Sequence, residues 1–437
     1  MTTSKCYVWR WLPGASDPVV AGELQFDDRG RQLFFYGRSY LERDNAEPIY
    51  EPELPLRSGV HEPIGGLNHF SCLRDAAPDA WGRRVIESRL FGRGEVDAGH
   101  GVDEAMYLLH SGSDRTGALD FQTSASEYIP RALDAASLAD LSKAAELLAT
   151  DQPIPSDLEA ALNHGTSIGG ARPKAAITGE NAKYVAKFSV STDTFQIVKA
   201  EYVAMVLAER IGLDAAKVSL EKAAGKDVLL VERFDRYFDT SGWCRRSLVS
   251  GLTVLGLDES WAREASYPNI VDQMRVHGLK FKKDARELFS RLVFNVLMGN
   301  TDDHARNHSF FVEGKTIRLT PAYDITPFPR SGGEAGHGMK ITSESNLSRI
   351  CLCLGAAAEF GLSDEEALVI VETQIRGIVE HFDQLCEEVE MTQSMRERLR
   401  RRAVLNPDIF AGCEDLNPKD WYHRQRYRFA PGGSAFD

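Results

Sequence analysis

The stretch GNTDDHARNHSFF at 299–311, followed by RLTPAYDITPF at 318–328, decides how this chain is read. Asp302 and Asn307 stand five residues apart in a segment that leaves a long apolar helical pattern, and Asp324 follows Asn307 by seventeen residues. Phosphoryl transfer from ATP needs this set of groups: one Asp to orient and deprotonate the acceptor hydroxyl, and an Asn and a second Asp to hold Mg²⁺ against the phosphates. Upstream, Lys187 lies in a strand pattern seventeen residues after Gly170 of a glycine-rich stretch, HGTSIGGARPKAAI. Glycine loop, strand lysine, helix, connector, DxxxxN and second Asp is the order in which two-lobed kinase folds place their parts. Each piece alone has a plainer meaning, as a turn or as a surface lysine with a buried stem. Four pieces in that order carry the reading.

Composition sets the frame. A chain of 437 residues, 43% hydrophobic and 26% charged, is long enough for two or three domains and is neither disordered nor collagen-like. It contains no run of about 18 apolar residues, and its first residues, MTTSKCYVWRWLPGASD, carry no apolar targeting segment. The net charge of −13 gives a field that repels phosphate backbones, so any DNA contact has to be local. Seven cysteines are scattered without CxxC spacing, which reads as free thiols in a reducing compartment. The expectation is a soluble cytoplasmic protein with no membrane span.

The first stretch reads as short strands at 5–11, 19–26 and 31–37, with turns at Pro13-Gly14 and Asp28-Arg29-Gly30. A helical segment over 67–91 is interrupted at Pro78, an Ala-rich helix covers about 135–149, and DQPIPSD at 151–157 marks a boundary. Strands follow at KAAI, AKYVAKFSV and VLLVERFDR, with an amphipathic helix at 199–212 closed by Gly212. From about 245 the chain is mostly helical. In the helix at 284–299, Asp284 and Glu287 have capping-box spacing, and Leu288, Leu292, Val296, Phe289 and Val293 make one apolar stripe. A second capping box, Ser363 with Glu366, opens a helix towards 390. The expected fold is α+β: an N-terminal β-rich module (1–125), a kinase-like N-lobe (150–236) and a large helical C-lobe (237–437).

Two other motif readings compete. Gly165-Thr166-Ser167-Ile168-Gly169 matches the G-x-S-x-G nucleophile elbow, but that elbow needs a buried strand before it, and 153–164 reads as helix. Asp302, Asp303, His304 and His308 could ligate metal in a phosphoesterase-type site, which leaves Lys187 and the glycine loop without a role.

The segments SIGGARPK, VAKF, VERFDR, NTDDHARNHS and LTPAYDI together resemble the HipA family of serine/threonine kinases, toxins of bacterial HipBA-type toxin–antitoxin modules. The front segments FSCLRDAAPDAWGRR and SGSDRTGAL resemble that family's N-terminal domain. The resemblance implies ATP and Mg²⁺ as cofactors and Asp302 as catalytic base, with His304 and Asn307 at nucleotide- and Mg²⁺-contacting positions. Asp324, in the segment YDI, falls at the metal-binding Asp, Tyr323 at a nucleotide-binding position, and Lys187 at the phosphate-contacting lysine. Gly169, Gly170, Ala171, Arg172, Pro173 and Lys174 match the loop over the phosphates, and Glu232 with Phe234 the adenine-side hinge. Ser167 falls on the loop serine that family members autophosphorylate. As partners the resemblance implies a small helix-turn-helix antitoxin of HipB type, operator DNA through that antitoxin, and an aminoacyl-tRNA synthetase as substrate, with growth arrest as the outcome.

Two departures stand out: Pro173 has no amide hydrogen to offer a phosphate, and Asp303 stands where some relatives carry glycine, adding a negative charge beside the base. The run Arg396, Arg398, Arg400, Arg401 and Arg402 reads as a solvated helix face ahead of a DNA contact. Glu201 is either a partner for Lys187 or a surface glutamate. Other functions that share parts of this pattern are a small-molecule kinase of the antibiotic-phosphotransferase type and a non-enzymatic co-repressor bound to a DNA-binding antitoxin.

Overall fold

The computed structural model describes residues 5–91, 102–131, 136–155, 157–158, 161, 163–166, 170–240 and 242–422. The front module is built on β1 (Lys5–Arg10), β2 (Val19–Phe26), β3 (Gln32–Tyr36), β4 (Val60–His61) and β5 (Leu119–Gln122). They form one antiparallel sheet in the order β4-β3-β2-β1-β5. Alternation along the strands buries Val8, Leu24, Phe34 and Phe121 on one face. The expected helical stretch breaks in two, α1 (Ser71–Arg74) and α2 (Ala80–Phe91), on either side of Pro78, which cannot donate to a continuing helix. Next come α3 (Glu104–His110), capped by Asp103, and α4 (Leu138–Ala149), capped by Ser137.

The N-lobe sheet comprises β6 (Lys174–Thr178), β7 (Lys183–Phe188), β8 (Val218–Ala223) and β9 (Lys226–Glu232), in the order β6-β7-β9-β8. On one face α5 (Ile197–Arg210) buries Ala200, Val203 and Leu207 against Leu229 and Val231. The other face packs Phe188, Val228 and Leu230 onto Leu148 of α4 and Trp81 and Val85 of α2. The front module therefore shares a core with the N-lobe.

After the hairpin β10 (Arg236–Asp239) and β11 (Gly242–Arg245), the C-lobe begins with β12 (Leu248–Ser250), α6 (Gly251–Val254), α7 (Tyr267–His277) and α8 (Phe281–Met298). It continues with β13 (Ser309–Glu313), β14 (Thr316–Leu319), α9 (Ile350–Gly355), α10 (Asp364–Glu388) and α11 (Gln393–Arg402). The stripe Leu288, Phe289, Leu292, Val293, Val296 is fully buried at the centre of this lobe. Ser363 and Glu366 form the expected reciprocal capping box on α10.

The capping box expected at Asp284 is absent. Helix α8 starts earlier, at Phe281 behind an uncapped Lys280, because both carboxylates have tertiary partners. Asp284 accepts from Leu319 N at 3.1 Å, and Glu287 accepts from Asp214 N at 3.1 Å and from Arg291 at 2.8 Å. The arginine run also departs from a uniform solvated face. Arg400 is buried against Trp421 and Asp383, Arg396 pairs with Glu387 at 2.7 Å, and Arg401 and Arg402 are exposed. All seven cysteines are free thiols, and among the described residues no helix is long and apolar enough to cross a membrane.

Candidate active site

Helix α8 ends on Gly299, at φ +71°, where a Cβ would lie 2.7 Å from Ala403 O. Only glycine fits, and the left-handed turn aims the chain into the cleft between the lobes. The following loop closes on itself: Asn307 Nδ2 donates to Asp302 O at 3.0 Å, Asn307 N donates to His304 O at 2.8 Å, and Ala305–Asn307 form a single 3₁₀ turn. That coil leaves the Asp302 carboxylate and the Asn307 side-chain carbonyl with the cleft as their open side. Partial burial raises the Asp302 pKa above the usual carboxylate value; His304 opposes the shift, and the neighbouring Asp324 and Asp303 add to it.

Asp303 has a different surrounding. Its carboxylate is turned into the core, where it accepts from His308 Nε2 and His337 Nε2, each at 2.8 Å, and from the Tyr267 hydroxyl. Burial opposes its ionisation, but these donors hold its pKa far below the usual range. Asp303 therefore places its charge beside Asp302 from within the core, where it contributes to the raised pKa of Asp302. One expectation is corrected: the four-residue phosphoesterase set is split, since Asp303 and His308 are buried together while Asp302 and His304 line the cleft. Among the described residues no group of three or more His, Cys, Asp or Glu side chains converges as metal ligands.

Opposite this loop, Asp324 sits at φ +61°, a costly conformation for a residue with a Cβ, directly after the half-buried Tyr323. The Tyr323 hydroxyl donates to Arg306 O at 2.7 Å and lies 2.6 Å from Ser309 Oγ, which fixes the backbone before Asp324. Lys187, from β7, donates to both Asp324 and Glu201, so Glu201 is the buried partner of the strand lysine. Burial disfavours the charge on Asp324, yet Lys187 and Lys174 hold its pKa well below normal.

Lys174 is the directly opposed cross-strand neighbour of Lys187, so both point to the cleft face. Burial and the Lys187 charge push the Lys174 pKa down to about 8. Among the described residues Lys174 has no carboxylate partner, and His304 Nδ1 is buried without a hydrogen bond. A cleft-lining lysine with no carboxylate partner among the described residues, beside a cleft-lining His304 whose Nδ1 lacks a hydrogen bond, fits the recognition of an anionic, hydrogen-bonding ligand such as a nucleotide triphosphate. Gly170, at φ +112°, lies against Lys174 Nζ so closely that a Cβ there would collide with it.

Arg172 pairs with Asp193 at 3.0 Å, Ala171 is exposed on the cleft rim, and Pro173 accepts from Phe188 N at 3.1 Å through its carbonyl. Glu232, at the end of β9, lines the cleft, and Phe234 packs on Tyr323 and Phe311 at ring separations of 5.7 and 5.9 Å. The whole cleft encloses about 490 Å³. Ser167 and Gly169 lie outside the described residues.

Some groups at the site were not anticipated. Asp114 of the front module bonds Lys183, Arg233 and Arg236 at 3.1, 3.2 and 2.9 Å, while Asp235 accepts from Gly117 N at 2.8 Å and from the same two arginines. The segment after β9 is thus stapled to the front module. Asp79, Arg74, Glu259 and Arg306 form a second charged cluster on the cleft wall. The run Pro78-Asp79-Ala80-Trp81 offered only a helix start as a signal, because its partners are far away in sequence.

A glycine-bearing loop over a strand lysine, a Lys–Glu pair from sheet to helix, and an Asp/Asn/Asp set on the facing lobe define an enzyme of the two-lobed kinase class. The particular family follows from comparison with known proteins. Residues 16–122 match the HipA N-terminal domain and residues 166–399, more than half of the chain, match the HipA-like C-terminal domain. The chain belongs to the HipA family. A Sinorhizobium fredii protein, Y4mE, whose name carries a provisional kinase label, is 26% identical over 355 residues, 74% of this chain and 77% of that protein. The serine/threonine-protein kinase toxin HipA of Shewanella oneidensis is 28% identical over 145 residues, 30% of this chain and 34% of that protein. A solved structure of the Shewanella oneidensis HipA, HipB and operator DNA complex has the same fold, with a TM-score of 0.62 at 18% identity, covering 96% of this chain and 97% of that one.

Proposed function

We propose that this chain is an ATP- and Mg²⁺-dependent serine/threonine-protein kinase acting as the toxin of a HipBA-type module. One observation carries the reading: Lys187, paired with Glu201 and Asp324, faces Asp302 and Asn307 across a single cleft. In this reading the chain works in three parts, 1–125, 150–236 and 237–437, with the nucleotide between the last two.

Lys187 and Lys174, which has no carboxylate partner among the described residues, neutralise phosphate charge, and the family resemblance assigns Gly169 to Lys174 to the loop over the phosphates. Glu232 and Phe234 face the base, while His304 and Tyr323 complete the nucleotide wall. Asp324 and the Asn307 carbonyl would hold Mg²⁺, which when bound neutralises charge developing on the transferred phosphoryl group. Asp302 accepts the proton of the attacking serine or threonine hydroxyl, and its raised pKa makes it a better base than an ordinary Asp.

The HipA/HipB/operator structure supports a HipB-type helix-turn-helix partner that brings the DNA, and the family resemblance supports an aminoacyl-tRNA synthetase as target and Ser167 as an inhibitory autophosphorylation site. Cys usage and the lack of a spanning helix among the described residues support a cytoplasmic setting.

The test is phosphate incorporation from Mg²⁺-ATP by purified protein, set beside Asp302→Asn. The substitution should lower transfer by about 10²- to 10⁴-fold, abolish growth inhibition on expression, and remove phosphate from Ser167 in mass spectra. Undiminished transfer by Asp302→Asn would overturn the assignment. Stoichiometric zinc with phosphoester hydrolysis would replace it.

A further inference from the structure

The front module touches both lobes of the kinase unit. Asp75, just after α1, accepts from Ser250 N and Thr253 Oγ1 of the C-lobe, each at 2.7 Å. Trp81, at the start of α2, donates its ring N–H to Lys174 O at 3.1 Å and its backbone N–H to Gly170 O at 3.2 Å, both in the N-lobe.

Between them stands Asp79, whose two carboxylate oxygens serve different lobes. Oδ2 accepts from Gly170 N at 2.7 Å, and Oδ1 accepts from Arg306 Nη2 at 2.6 Å. Arg306 lies between Asp302 and Asn307 in the loop that carries the proposed base. It also bonds Glu259 at 2.6 Å, which in turn bonds Arg74 at 2.9 Å, so the guanidinium is held on two sides. Burial opposes the Asp79 charge, but Arg306 and Arg74 keep its pKa below the usual value, so the link is ionised at neutral pH.

We propose that Asp79 is a positioning residue for phosphoryl transfer: a single carboxylate of the N-terminal module sets the glycine loop over the ATP phosphates at a fixed distance from the loop bearing Asp302. The proposal rests on the kinase reading and adds that the front module completes the active site. A rigid carboxylate is about 2.2 Å across its oxygens, and both hydrogen bonds are short and charge-assisted, so the two loops have little freedom to separate while Asp79 is in place. Without it, Gly170 loses its direct link to the catalytic loop and keeps only the Trp81 N–H bond to its carbonyl, and a glycine backbone gains more freedom than any other when a restraint is removed. The phosphates then lose their fixed cradle, while the adenine side, held by Glu232 and Phe234 on a segment stapled independently through Asp114 and Asp235, is unaffected.

Calorimetric titration of the full chain with Mg²⁺-ATP and, separately, with adenosine tests this. Asp79→Ala should weaken ATP binding about tenfold or more and raise KM for ATP, with adenosine affinity within about twofold of wild type. Arg306→Gln breaks the same link from the other loop and should weaken ATP in the same way. The double variant should be no worse than the stronger single one, since one link is lost in each case. Equal loss of ATP and adenosine binding, or unchanged ATP binding in both variants, would reduce Asp79 to a structural contact. Wild-type protein that binds neither ligand overturns the kinase reading itself, and this proposal with it.

Discussion

Asp302 and Asp303 are adjacent and chemically identical, and the structure predicts opposite consequences for the same substitution. Asp303 is buried and accepts from two imidazole N–H groups and one phenol. Asn at 303 keeps one acceptor oxygen and replaces the other with an NH₂ group that faces a donor. Leaving buried hydrogen-bond partners of a carboxylate unsatisfied costs about 1–3 kcal/mol. For a lobe of this size each kcal/mol moves Tm by about 2–4 °C, so Asp303→Asn should melt roughly 2–12 °C below wild type. Asp302 has no such partners: its carboxylate faces the cleft near Asp324, and removing its charge relieves repulsion. Asp302→Asn should leave Tm within about 2 °C of wild type while abolishing transfer. Differential scanning calorimetry of the two variants, paired with a phosphate-transfer assay, separates them. The depressed pKa of Asp303 gives the pH dependence. Its stabilisation is complete above the unfolded-state value near 4 and is lost as pH falls through the lower folded value, so the gap between wild type and Asp303→Asn should narrow as pH falls below about 4. A stable, inactive Asp303→Asn together with an unstable Asp302→Asn would refute the assignment of the two carboxylates.

Two further outcomes follow from the titrating groups in the cleft. The acid limb of kcat/KM should lie above the usual Asp value near 3.9 because it reports Asp302, whose pKa is raised, while Asp324, whose pKa is depressed, remains ionised across that range; a limb below about pH 3.5 would contradict this. Lys174, with a pKa of about 8, should lose its proton as pH rises from 7 to 9, weakening ATP binding over that interval in wild type. Lys174→Arg, which stays charged, should remove the pH dependence, and a persistent dependence would assign it to another group.

Much of this protein is legible in the linear order of residues, for reasons that are local. The stripe from Leu288 to Val296 recurs at the helical period and must face a core, and Ser363 with Glu366 caps a helix within one turn. The spacing of Asp302, Asn307 and Asp324 survives because a tight loop and a hairpin can present those groups together only at short separations. Lys187 was placed by its strand and its distance from the glycines.

Other features depend on which distant segments meet, and no local pattern encodes that. Asp284 and Glu287 have the spacing of a cap, but Leu319 N and Asp214 N were the better partners once the lobe closed. Asp303 reads in sequence as a charge beside the base, and only the fold shows that His337, 34 residues on, and Tyr267, 36 residues back, enclose that charge. Asp79 and Arg306 are 227 residues apart, and nothing near either one announces the other. Periodicity and spacing record what a residue can do within a turn or two of chain. Whether a carboxylate becomes a base, a buried anchor or a tether is set by the donors and the dielectric around it, and those come from the packing of the whole fold.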